Sequence, residues 1–262
     1  MIKVKKFSKD NYLAWDSFVG NANNGTIFHL RKFLNYHSEE RFKDNSIEFY
    51  KGNNLLSVVP AADIMKEGKR ILVSHPGASY GSFITKEDLS IKDSIEIVEE
   101  LNGYAIREGF DGIQMTIPPS FYSNRVSNYV EYALLSSGFD YFRREVTSTL
   151  TIGEDENEIL NKFKSSHKRA VKRSQNLGVE FKITNKVDEF FSILETNLKI
   201  RHDVKPTHTI DELKTLINLF PEEINVFGAF YNHQMIAGVL NITVKEGVAL
   251  AFYISHKNEF QE

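Results

Sequence analysis

Apolar and polar residues alternate over Ile2–Phe7, which predicts that the chain opens with a strand. Tyr12, Trp15 and Val19 then recur near helical spacing within Asn11–Val19, behind Ser8 or Asp10 as a cap, and Leu30–Glu40 predicts a second helix. Three short strands are expected over Ser46–Tyr50, Asn54–Ala61 and Arg70–Ser74, the first two joined through Gly52-Asn53. Ile91, Ile95, Val98, Leu101 and Ala105 share one face of a helix that Ser90 and Asp93 open and Gly109 closes. Gly112–Ile117 reads as a strand stopped by Pro118-Pro119, Tyr122–Ser136 as a helix closed near Gly138, and Phe139–Ile152 as one or two strands.

The order then begins again. Glu156–Leu177 predicts one long helix or a helical hairpin closed by Gly178, followed by a strand over Val179–Thr184. Val187–Ile200 is a helix with Phe190, Phe191, Leu194 and Leu198 on its apolar faces. Thr209 and Glu212 form a capping box for a helix through Leu219, which Pro221 stops. Asn225–Tyr231, Met235–Val244 and Val248–Ser255 are three strands, with turns at Asn232-His233 and Glu246-Gly247. Such a string suits an α/β (α+β) fold in two units, 1–152 and 153–262, each with a mixed central sheet and helices on its faces. The second run stops after β-α-α-β-β-β, so the expectation is that the second unit is cut short or completes its sheet against the first.

Composition narrows the chemistry. Of 262 residues, 41% are hydrophobic, including 20 Phe and 11 Tyr, enough for a sizeable core. A net charge of -3 gives no support to general nucleic-acid binding, and DNA is not an expected partner. With no cysteine, disulfides, thiolate metal sites and a cysteine nucleophile are excluded. No metal-ligand spacing occurs among the eight histidines, so no metal is expected. Met1–Phe7 has no apolar run behind its charges and no stretch is apolar enough to span a bilayer, which predicts a cytoplasmic protein that is not integral to the membrane.

Several segments resemble the Fem-type branch of the GNAT superfamily: Gly25-Thr26-Ile27-Phe28-His29, Ser74–Gly81, His167–Arg173 leading into Gly178-Val179, Arg201–Thr209, Ile236–Leu240 and Tyr253-Ile254-Ser255. The resemblance covers essentially the whole chain. It implies tandem GNAT-like units and an acyltransferase that moves an acyl or aminoacyl group to an amine or hydroxyl. The implied acceptor is a small-molecule or lipid-linked sugar precursor of the cell envelope or a polysaccharide, and the implied donor is acyl-coenzyme A. The alternatives are an aminoacyl-tRNA-dependent peptidoglycan-bridge transferase and a non-catalytic binding protein. The Arg/Gln-x-x-Gly-x-Gly/Ala turn that many coenzyme-A-using relatives carry after the fourth strand is absent after Ser255.

Acyl transfer needs a base for the acceptor, donors to the carbonyl oxygen and a proton for the leaving group. Tyr253, near the end of the second unit's fourth strand, could protonate a leaving group, or simply pack in the sheet. His202 and His208 titrate near neutral pH and could act as base, while Arg201 and Lys205 could hold phosphate or carboxylate. These five would line a cleft between the units. The alternative is a solvated interhelix loop. Lys168, Arg169, Lys172 and Arg173 form a basic helix stripe opposite Leu160, Phe163, Ala170, Val171 and Leu177, suited to substrate phosphates or tRNA unless it is an ordinary solvated face. His75 and Tyr80, in the Ser74–Gly81 loop, could face substrate, or belong to a plain Pro76-Gly77 turn.

Overall fold

The computed structural model describes residues 1–38, 40–153 and 155–260. Internal contacts divide the chain into two units, Met1–Asp140 with Thr243–Ala249, and Tyr141–Ile242 with Leu250–Glu262.

The first unit begins with β1 (Ile2–Lys6), α1 (Tyr12–Gly20) and α2 (Arg31–Leu34). The helix expected over Leu30–Glu40 is therefore a single turn, and Glu39 lies outside the described residues. Tertiary contacts at Arg31 override the helical periodicity. Its amide donates to Asp16 Oδ1 at 2.6 Å, and its buried guanidinium stacks over Phe7 and Trp15 and binds Asp44 and Ser46. An arginine held out of water needs that full set of partners, and the backbone leaves the helix to supply it.

Next come β2 (Lys43–Asp44), β3 (Ile47–Lys51), β4 (Asn54–Val59), β5 (Ala61–Lys66), β6 (Lys69–Ser74) and β7 (Ile84–Thr85). They are followed by α3 (Ile91–Arg107), β8 (Gly112–Gln114) and α4 (Tyr129–Ser136). One sheet has the order β1-β3-β4-β7, all antiparallel; the other, β2-β5-β6-β8, is mixed, with β6 and β8 parallel. The run expected to end at Ala61 continues as β5. Pro60 has no N–H to give a ladder, and at that residue the chain passes from the first sheet to the second. Glu67 and Gly68, both at positive φ (49° and 78°), return β5 into β6. The core gathers Ile47, Phe49, Val59, Leu72 and Phe83 under the Ile97–Val98–Leu101 face of α3. Ser90 caps that helix by accepting the Asp93 amide at 3.0 Å, as its spacing predicts. The strands expected in Phe139–Ile152 do not form among the described residues. Tyr141–Ile152 is exposed throughout, with no neighbouring strand to complete a ladder.

The second unit contains α5 (Glu156–Lys162), α6 (Ser165–Asn176), β9 (Glu180–Thr184), α7 (Val187–His202), α8 (Ile210–Leu219), β10 (Ile224–Tyr231) and most of β11 (Gln234–Lys245) and β12 (Val248–His256). From β9 onward this is the predicted β-α-α-β-β-β order, in a sheet ordered β12-β11-β10-β9. The Asn232-His233 turn is left-handed at both residues, φ 48° and 65°. Gly228 and Gly238 face each other across β10 and β11, and the ring of Phe190 on α7 fills the space a side chain at Gly238 would need. No helix among the described residues is long and apolar enough to cross a membrane.

Two buried histidines set the acid limit of this fold. Desolvation lowers His29 to about 3. It also lowers His75 to about 4, where Asp44 pushes the other way and Arg31 and His37 add to the lowering. Each takes up a proton in the unfolded chain as pH falls through 6.5 but resists it when folded, so stability is full above pH 6.5 and erodes below it. Between pH 7.5 and 5 each histidine should cost about 2 kcal/mol, and urea unfolding of His75→Phe should lose about that much less over the interval than the parent. Gly238→Ala should lower the unfolding free energy by about 1–3 kcal/mol, because the new methyl would meet Phe190; the urea midpoint measures it.

Candidate active site

Asp203 caps α7 in the left-handed conformation, φ 51°, and ends the helix at His202. The chain turns through Pro206 and is fixed again at Thr209. There Thr209 Oγ1 accepts the Glu212 amide at 3.2 Å, and Glu212 Oε2 accepts the Thr209 amide at 2.8 Å. Locking Thr209 also locks its neighbour, His208. The His208 Nδ1 lies 2.9 Å from the Tyr253 hydroxyl on β12, and Phe252 meets both rings edge-on. Both members of the pair are half-buried. Burial pushes the Tyr253 hydroxyl up from its ordinary value, and hydrogen bonds from Thr207 and His208 offset part of that rise.

Beside this pair, α7 and β12 are tied through polar groups. Asn197 Nδ2 donates to Ser255 Oγ at 3.0 Å, and Ser255 Oγ in turn donates to the Ile193 carbonyl at 3.4 Å. The buried Asn197 Oδ1 has no partner among the described residues. Arg201 Nη2 reaches His256 Nε2 at 3.1 Å and Asn258 Oδ1 at 3.3 Å. A cleft of about 200 Å³ opens here, with Ser192, Thr196, Asn197, Ile200, His256 and Lys257 in its lining.

The structure thus joins His208 to Tyr253 and places Arg201 on a neighbouring cluster. His202 and Lys205 are exposed, at the end of α7 and in the loop. Of the first-unit candidates, His75 is not presented to solvent. It is buried against Phe42, and its Nδ1 accepts the Gly77 amide at 3.3 Å, so it braces its own turn. Tyr80 is half-buried, edge-on to Phe28 and Tyr122, whose hydroxyl is pushed up by burial and by Tyr80. Lys168, Arg169, Lys172 and Arg173 lie on α6, which buries none of its residues.

Sequence reasoning missed Asn197, Ser255, His256 and Asn258. A usable signal was present: Asn197 continues the Phe190–Ile193–Leu194 stripe of α7, and a polar residue on an apolar stripe needs a buried partner. Among the described residues, no group of His, Asp or Glu side chains is arranged to hold a metal. The described stretch after β12, Lys257–Phe260, forms a short turn that carries Glu259.

No protein-family model matches the chain, and no curated protein matches it. Among solved structures, the crystal structure of FemX aligns over 98% of this chain and 81% of its own length, at 10% identity and a TM-score of 0.70. The chain therefore has the fold of FemX. A ribosomal-protein-alanine N-acetyltransferase from Brucella melitensis biovar Abortus 2308 aligns over 57% of this chain and 100% of its own, at 10% identity and a TM-score of 0.40. A glucosamine N-acetyltransferase region of a fungal multi-domain β-N-acetylglucosaminidase aligns over 100% of this chain and 32% of that one, at 9% identity and a TM-score of 0.41.

The raised Tyr253 hydroxyl is directly measurable. In ¹³Cζ-tyrosine spectra, the signal that disappears in Tyr253→Phe should titrate with a midpoint above pH 10, the ordinary tyrosine value.

Proposed function

We propose that this chain is an acyl- or aminoacyltransferase and that His208 and Tyr253 carry its protons. The observation behind this reading is the 2.9 Å contact between His208 Nδ1 and the Tyr253 hydroxyl on β12, in a chain whose fold is that of FemX. The donor is an ester or thioester, and the acceptor is an amine or hydroxyl on a cell-envelope or polysaccharide precursor. His208 Nε2 takes the proton of the attacking group. Nδ1–H passes its proton to the Tyr253 oxygen, and the Tyr253 O–H gives its proton to the departing oxygen or sulfur. One bond to the carbonyl carbon forms, one breaks, and each ring ends with the number of protons it began with.

The surroundings suit that task. Thr207 and His208 offer hydrogen bonds to the phenol oxygen, which leaves the Tyr253 O–H free to turn toward the leaving group. A phenol held above its ordinary value stays protonated at neutral pH and acts as an acid. Arg201, steadied by His256 and Asn258, is placed to receive an anionic part of the substrate.

The test is turnover with a panel of acetyl thioesters and charged tRNA against amino-sugar and peptide acceptors. With the best pair, Tyr253→Phe should lower kcat by about 10²-fold or more while KM changes little. An unchanged kcat would remove Tyr253 from the reaction, and silence with every donor would count against transferase activity.

A further inference from the structure

Helix α6 buries none of its residues. At about 100° per residue, Lys168, Arg169, Lys172 and Arg173 fall within an arc of about 140°. Ala170, Val171 and Leu177 lie on the opposite side, and Val171 and Leu177 are 39% and 57% exposed. Between Leu160 and Val179 no Asp or Glu opposes these four cations or Lys162 and Lys164.

Lys162 Nζ donates to the Thr151 carbonyl at 2.5 Å, which brings the preceding segment alongside α5, and Lys168 Nζ donates to Asn161 Oδ1 at 3.4 Å, which joins α6 to α5. That segment carries further uncovered apolar side chains, among them Leu150 at 50% and Ile152 at 68% exposed, and Leu160 on α5 is 43% exposed. One part of the second unit therefore presents a basic arc together with a set of exposed aliphatic groups. A nucleic acid would satisfy the cations alone and leave the aliphatic groups in water. An anionic bilayer surface satisfies both. Headgroup phosphates meet the lysines and arginines, and the acyl boundary takes up the aliphatic groups.

We infer that α6, with Leu150, Ile152 and Leu160 beside it, is an in-plane anchor for the surface of an anionic lipid bilayer. The inference goes beyond the transfer reading and does not depend on it, since its test reads vesicle binding and not turnover.

The experiment is flotation of the full chain with phosphatidylcholine vesicles, with and without phosphatidylglycerol, over a salt series. The chain should float only with the phosphatidylglycerol vesicles, and less as salt rises. Lys168→Glu together with Lys172→Glu should weaken binding about tenfold or more. Val171→Ser together with Leu177→Ser should weaken it as well and leave the salt slope unchanged. All four positions lie on a helix without buried residues, so circular dichroism should report intact variants. Failure of the parent to float, equal binding to neutral vesicles, or undiminished binding by either double variant would overturn the anchor. Binding to RNA that Val171→Ser/Leu177→Ser leaves untouched, with no vesicle binding, would replace it with a nucleic-acid surface.

Discussion

The Phe190 ring of α7 occupies the space a side chain at Gly238 would need, and the candidate site builds on that approach. Gly228 and Gly238 sit opposite each other on adjacent strands, so the sheet has a hollow at that point and α7 settles into it. One helical stripe further along, the same closeness lets the short side chains of Asn197 and Ser255 touch. At the end of α7, Asp203 and the Thr209–Glu212 box then fix a loop too short to wander, and His208 has only one place to go. A catalytic pair on a loop gains its precision from rigid elements at both ends.

The chemistry that follows is economical. The phenol is tuned by desolvation against a few hydrogen bonds, with the Glu212 charge adding to the upward push. That arrangement suits a reaction in which proton positions change but no charge need persist on the enzyme. It also explains why a chain without cysteine and without a metal-holding group among its described residues can be read as a transferase: direct attack on an activated carbonyl asks for positioned proton donors and acceptors and little else.

Much of this was legible in the sequence because it is local. The Thr209–Glu212 box, the Ser90 cap, Gly178 and the Asn232-His233 turn each declare themselves within four residues, and each is found where expected. What escaped was non-local. The Leu30–Glu40 periodicity yielded to the partners that a buried Arg31 demands, and Phe139–Ile152 had strand composition but no strand beside it. Tyr253 and His208 could be named separately as candidates from residue type and place. Their contact spans a sequence separation of 45, and no pattern in either segment encodes it.

Pro60 has a consequence for how the first unit tolerates change. As the joint between β4 and β5 it interrupts the hydrogen-bond ladder, so the two sheets keep independent registers although one continuous stretch of chain feeds both. An added or lost residue at the tip of the β5–β6 hairpin would shift β6 against β8 without disturbing β3 against β4. The unit can therefore vary in length along one edge while the other edge stays fixed, and related chains should gather their insertions on the β6 side of that proline.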